Sequence, residues 1–368
     1  MKNKRQLFGN LVFAVVVMIA AAAVRADDAR DSSPQKEQEQ LAVLRSDAPP
    51  ADKAIACKLL AIHGSKEAVP ELAKLLPNEQ LSSWARIALE AIPGPEADEA
   101  LRTAAESVDG RLLIGVINSI GVRGDAGAVE LLTARLNDSD EQVASAAAVA
   151  LGHIDNEAAA GALRESLASG PEKVRSAVAE GCVLCAERYL AAGDTDTAVA
   201  IYDEIRNADV PQQRILEALR GAILARKDAG IPLLLEQLRS TELPRFQIAL
   251  STAREFPGGK VDQALADEMK SAQPQRAALI VQAMADRPDT VILPAVLQAA
   301  AQGPKPVRLA AIGALERVGD ASCVSKLLEV AQEEDADLSQ AARTTLAEIP
   351  GEKIDAQVVA LLPDAQVK

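Results

Sequence analysis

Residues 305–332 read KPVRLAAIGALERVGDASCVSKLLEVAQ, and their pattern decides the fold. Val307, Ala311, Leu315 and Val318 recur at i, i+4, i+8 and i+11, one face of an α-helix opened by Pro306. Gly319-Asp320 breaks that helix: glycine tolerates a left-handed backbone, and an aspartate caps the helix that follows. Val324, Leu327, Leu328 and Ala331 then line a second helix. Two short helices with one apolar stripe each cannot bury those stripes alone. They need neighbours on both sides, which is the physics of a stacked repeat.

Outward from this block the pattern repeats. One core position of the second helix reads Leu234, Leu265, Val296, Leu327 and Val358, every step being 31 residues. Earlier in the chain it reads Leu72, Leu101, Leu132 and Leu163, with steps of 29, 31 and 31. Proline stands just inside the second helix at Val69-Pro70, Ile231-Pro232 and Leu293-Pro294, where its missing N–H costs nothing. Composition agrees: 49% of the chain is hydrophobic but only 2% aromatic, so alanine and leucine, both strong helix formers, must fill the core. The reading predicts an all-α, right-handed solenoid of about ten antiparallel helix pairs, with units near 51–78, 79–109, 110–141, 142–173, 174–213, 214–245, 246–275, 276–305, 306–337 and 338–368.

Blocks 143–167 and 306–331 resemble HEAT repeats of the short bacterial kind. The Val-Arg openings at Val307-Arg308 and Val174-Arg175, the leucines before the turn at Leu151 and Leu315, and the aspartate at the turn carry the resemblance. It implies an armadillo-like superhelix over 51–173 and 214–368, and it implies little about function, because such arrays serve many partners. One stretch departs from the period: Leu163 to Leu234 is 71 residues, about nine more than two steps, and the excess lies in 174–213. There Tyr189, Gly193-Asp194, Ala198, Tyr202 and Asp209-Val210-Pro211 resemble a tetratricopeptide unit; a HEAT unit with an extended first helix is the other reading.

The N-terminus reads as an export signal. Lys2, Lys4 and Arg5 precede an uninterrupted apolar run of 14 residues at 11–24, short for a membrane span. Val24-Arg25-Ala26 then supplies small residues at −3 and −1, so cleavage is expected between Ala26 and Asp27 and the location is periplasmic or secreted, without stable membrane insertion afterwards. Residues 27–50 are polar and proline-containing and are expected to be a leader or linker with at most one short helix. The formal net charge is −14, and removal of 1–26 takes away four cations and no carboxylate. A chain this acidic repels phosphate backbones, so nucleic acid is excluded as a partner.

Residues that carry chemistry are sparse. There are two histidines, His63 and His153, followed by Gly64 and Ile154 and not by the glutamate that metal-binding HEAT hydroxylases carry. Cys182 and Cys185 have C-x-x-C spacing without further ligands, which leaves two small buried apolar residues or a local disulfide in an oxidising compartment. Asp194 and Asp196 begin a calcium-loop pattern that Ala198 and Val199 end. Neither a catalytic residue nor a cofactor or metal ligand is assigned.

The second helices offer Glu71 with Lys74, Glu99 with Arg102 and Glu236 with Arg239, each an acid three residues before a base, a spacing that lets them pair along one helix. They are candidate partner-binding residues on a self-neutralised face. The last helix carries Ile354, Val358, Val359, Leu361 and Leu362 with little polar cover, so Val359 and Leu362 are candidates for association with a second copy or another protein. The function expected is an exported scaffold presenting a protein-binding surface, without catalysis of its own. The alternative is an enzyme resembling HEAT-like bilin lyases, against which stand the export signal and the near absence of histidine.

Overall fold

A computed structural model of the protein describes residues 34–349. Among the described residues there are twenty α-helices, five short 3-10 turns and no strand. They form two compact units; the first runs to Cys185 and the second starts at Ala186. The export signal, its cleavage point at Ala26 and Asp27, and the apolar end with Val359 and Leu362 lie outside the described residues.

Each unit is an α-solenoid of paired helices. In the first, Pro50–His63, Ser82–Ala91, Gly110–Arg123 and Glu141–His153 are first helices packed in sequence. Val69–Ala73, Pro95–Ser107, Val129–Arg135 and Glu157–Ser169 are their second helices. In the second unit one apolar core runs from Ile223 to Ile349. Among the described residues the predicted register holds: Leu72, Leu101, Leu132, Leu163, Leu234, Leu265, Val296 and Leu327 are all 0% exposed, and Val358 lies outside them. Each such leucine contributes about 1.5–3 kcal/mol over a solvent-exposed one.

The block at 305–332 shows how the local sequence works. Lys305–Val318 is the first helix, with Pro306 in its first turn. The Asp320 carboxylate accepts the Ser322 amide at 2.8 Å and caps the 3-10 turn that leads into Val324–Val330. Gly319 departs from the expectation. Its backbone is extended, with φ −69 and ψ 155. Glycine is needed because a Cβ there would lie 2.3 Å from the Leu315 carbonyl oxygen.

The described part of the stretch expected to be a leader or linker, residues 34–49, holds the one short helix allowed for it, and that helix is packed. Pro34–Arg45 is a helix packed on Pro50–His63, with Leu41 and Leu44 buried. Buried Glu37 fastens it: its carboxylate accepts the Ser65 amide at 2.7 Å and the Ser65 hydroxyl at 2.9 Å. The apolar flank of the 50–63 helix needs cover, and these two leucines supply it. The extra residues of 174–213 lengthen a helix pair. Arg175–Ala191 has 17 residues, against 13 in Glu141–His153, and Thr195–Asn207 follows it.

Candidate functional site

The second helices line shallow grooves. One of about 720 Å³ runs between Pro95–Ser107 and Val129–Arg135, bordered by Glu99, Arg102, Glu106, Glu130, Arg135 and Asp138. Another of about 410 Å³ lies along Ile231–Arg239, bordered by Glu236, Arg239, Glu242 and Arg245. A narrower apolar slot of about 240 Å³ is walled by Met269, Ala272, Ala277, Ala299, Pro304 and Val307. Four of the candidate residues therefore border grooves.

Their pairing differs from the expectation in two cases of three. Lys74 does donate to Glu71 at 2.8 Å, and Arg45 joins it at 3.0 Å. The hydrogen bonds from Lys74 and then Arg45 hold the Glu71 carboxyl below its ordinary range. Arg102, however, turns from Glu99 to Asp125, whose other oxygen caps the Gly127 amide at 2.9 Å. Arg239 turns from Glu236 to Glu268, at 2.7 Å. The reason is burial: Asp125 is 8% and Glu268 6% exposed, and a buried carboxylate left unpaired costs far more than an exposed one. Glu99 and Glu236 stay solvated. The arginines of the second helices thus join consecutive repeats, so the face is only partly self-neutralised.

Other arginines do the same through backbone carbonyls. Arg276 donates to the Ser240 carbonyl at 2.5 Å and sits 4.5 Å over the Phe246 ring. Arg308 donates to the Ala300 carbonyl at 2.9 Å and holds Glu333 with both terminal nitrogens. Two arginines close the ends of first helices. Arg123 donates to the carbonyls of Leu89 and Ile92, both at 2.7 Å, and pairs with Asp98. Arg287 treats Ala253, Phe256 and Asp262 in the same way. The sequence reading missed this clamp. Its signal was present: Ile92-Pro93-Gly94 and Phe256-Pro257-Gly258 each precede an aspartate by four residues, and an arginine follows 25 residues after that aspartate.

Cys182 and Cys185, read as small buried residues or a local disulfide, lie one turn apart on one helix, each 1% exposed. The Cys57 thiol is buried too, and burial pushes its pKa up to about 11. His153 is exposed at the end of its helix, and His63 is half-buried. Among the described residues no group of three or more His, Cys, Asp or Glu is placed to hold a metal ion. No helix among them is long and apolar enough to cross a membrane.

Residues 104–182 match the family model described as HEAT repeats. No curated protein matches the chain in sequence. Among solved structures it is similar to a chain of the complex in which Kap95p binding induces the switch loops of RanGDP to adopt the GTP-bound conformation. Identity there is 12% and the TM-score 0.53, over 86% of this chain and 50% of that one. It is similar also to a mutant of Kap121p, at 11% identity and TM-score 0.51, over 90% of this chain and 43% of that one. The chain thus spans half or less of the length of these two. Human deoxyhypusine hydroxylase in complex with glycerol aligns at 18% identity over 77% of this chain and 96% of that one, but its TM-score of 0.32 carries no argument about chemistry. These likenesses bear on the fold, an all-α solenoid, with HEAT repeats matched over residues 104–182.

Proposed function

We propose that this HEAT-repeat protein is an exported scaffold that presents protein-binding surface and performs no catalysis of its own. One observation carries the reading. The arginines along the second helices are spent on joining consecutive repeats, Arg102 to Asp125 and Arg239 to Glu268, so the grooves beside them are held as pre-shaped surfaces. A surface ordered before it meets its partner binds without a further ordering cost. Two solenoids similar to it beyond a TM-score of 0.5 come from Kap95p and Kap121p, and the first is described as binding RanGDP; the partner class carried over here is protein in general.

Export rests on residues 1–26 of the sequence. Sequencing the N-terminus of the mature protein is expected to start at Asp27; Met1 retained in envelope fractions contradicts it. Capture of the tagged protein from its native envelope, after brief cross-linking, is expected to yield one protein in near-stoichiometric amount. If nothing beyond background is retained under any cross-linking condition, the scaffold reading fails. Self-association through the C-terminal unit is part of the proposal. Replacing Val359 and Leu362 with glutamate is expected to reduce the mass seen by light scattering without loss of helix content.

A further inference from the structure

The outer face of the first helices in the N-terminal unit is a different kind of surface from the grooves. Pro50–His63 packs on Ser82–Ala91, which packs on Gly110–Arg123. Each buries one side and turns the other to solvent. On the solvent side stand Ile55 at 57% exposure and Ile62 at 53%, seven residues apart and therefore on one stripe. Trp84 at 39% and Ile87 at 47% are three apart on the next helix, and Val122 at 66% lies on the third. Single exposed apolar residues are ordinary. Here, however, five of the seven large exposed apolar residues of the described chain fall on three consecutive helices, and one is the chain's only tryptophan. Tryptophan and other large apolar groups at the centre of a patch are the usual anchors of a protein interface.

The charge on this face is opposite to that of the chain. Lys58 lies between Ile55 and Ile62 on the same stripe, and Arg111 opens the third helix. Both are exposed, and among the described residues neither makes an ion pair. The exposed carboxylates here are Asp52, in the first turn of its helix, and Asp109, the N-cap residue of the third helix; both stand at the positive end of a helix dipole. In a chain of net charge −14, two cations left unpaired beside an apolar patch are a local reversal of sign.

We propose that this face docks an amphipathic segment of a protein partner whose apolar stripe is flanked by carboxylates. The proposal rests on the protein-binding reading and names the chemistry of the partner. The helix-on-helix mode needs apolar anchors spaced by turns, as here. A second copy presenting the same face would bring Lys58 and Arg111 against themselves, because a two-fold contact uses one patch twice. An anionic bilayer meets the whole acidic chain and not this patch alone, so the net charge of −14 repels it where a single peptide feels mainly the patch.

Trp84, as the only tryptophan, makes the intrinsic emission of the full chain a reporter on this face alone. The probe is a synthetic helical peptide with a leucine stripe and glutamate flanks; its control carries lysines in place of the glutamates. The acidic peptide is expected to shift the Trp84 emission to the blue and to saturate, and the lysine peptide is not. Lys58→Glu with Arg111→Glu is expected to weaken the acidic peptide by about tenfold or more. Ile87→Asp is expected to abolish the shift, with the circular dichroism of both variants unchanged. An unchanged spectrum, equal binding of the lysine peptide, or full binding to the charge-reversed variant overturns the proposal. So does an equal blue shift with phosphatidylglycerol vesicles, in favour of a membrane surface, or one that grows with protein concentration alone, in favour of self-association. Envelope capture separates this proposal from the broader one. If Ile87→Asp protein retrieves the same partner as the wild type, this face is wrong and the scaffold stands. If the wild type retrieves none, the scaffold reading itself fails.

Discussion

The guanidinium of Arg287 lies on the carboxylate of Asp262, 2.8 Å from Nε to Oδ1, with the two side chains 6% and 0% exposed. The same arginine donates to the carbonyls of Phe256 and Gly258, both at 2.6 Å, beyond the end of Leu243–Glu255. Those carbonyls have no intrahelical partner, so one side chain from the following repeat satisfies both a helix end and a buried charge.

Removing that arginine is expected to cost stability steeply. Arg287→Leu leaves Asp262 buried without its cation, and breaking a buried pair from one side costs about 3–5 kcal/mol. Arg287→Lys is expected to recover only part of this, because an ammonium cannot span the carboxylate and the carbonyls together. Urea unfolding followed by circular dichroism reads both. A loss below about 1 kcal/mol for Arg287→Leu would mean that water replaces the clamp, as at exposed pairs.

The repeat register is tested by leucines of opposite burial. Leu327 is 0% exposed and Leu243 58%. Leu327→Ala is expected to cost about 2–5 kcal/mol, and Leu243→Ala to stay within about 0.5 kcal/mol. Equal effects at the two sites would contradict the observed packing.

Two glycines of the first unit are expected to respond to alanine with opposite sign. A Cβ on Gly181 would lie 2.5 Å from the Ala148 carbonyl oxygen, because Arg175–Ala191 approaches Glu141–His153 backbone to backbone. Gly181→Ala is expected to destabilise by about 1–3 kcal/mol, as overpacking does. Gly161, inside Glu157–Ser169, has nothing within 4 Å of the added carbon. Gly161→Ala is expected to stabilise by about 0.5–1 kcal/mol through helix propensity. Thermal melts of the two variants decide the point.

Acid sensitivity is expected at Asp286. Burial works to raise its pKa, but hydrogen bonds from Arg254 at 2.6 Å and Arg317 at 2.5 Å overcome this and hold the carboxyl below its usual 3.8. A depressed carboxylate contributes stability that is present above its unfolded pKa and is lost as pH falls through the lower, folded one. Asp286→Asn is therefore expected to be less stable than the wild type at pH 7. The difference should shrink as pH falls below about 4, the unfolded carboxylate range. Because the aspartate is partly exposed, added salt should shrink it as well. A difference independent of pH from 7 to 2 would assign the effect to packing.

The sequence alone determined everything that depends on local periodicity. The 31-residue step, the buried leucine of each second helix and the aspartate cap at Asp320 follow from residues within one or two turns of each other, and those positions are buried or capped as read. What only the tertiary structure decided concerns the next repeat. Arg102 and Arg239 were legible as partners of Glu99 and Glu236 at helical spacing, yet they reach Asp125 and Glu268, 23 and 29 residues away. Glu37, in a stretch that reads as a linker, reaches Ser65 across 28 residues. Trp84 reads as any apolar residue of a first helix, and its 39% exposure is settled only by how its neighbours pack. For the charged residues the physical reason is the same. Helical spacing states which neighbours are within reach along one helix, whereas burial by the stacked repeat sets the cost of leaving a charge unpaired. That second quantity is larger, so it chooses the partner.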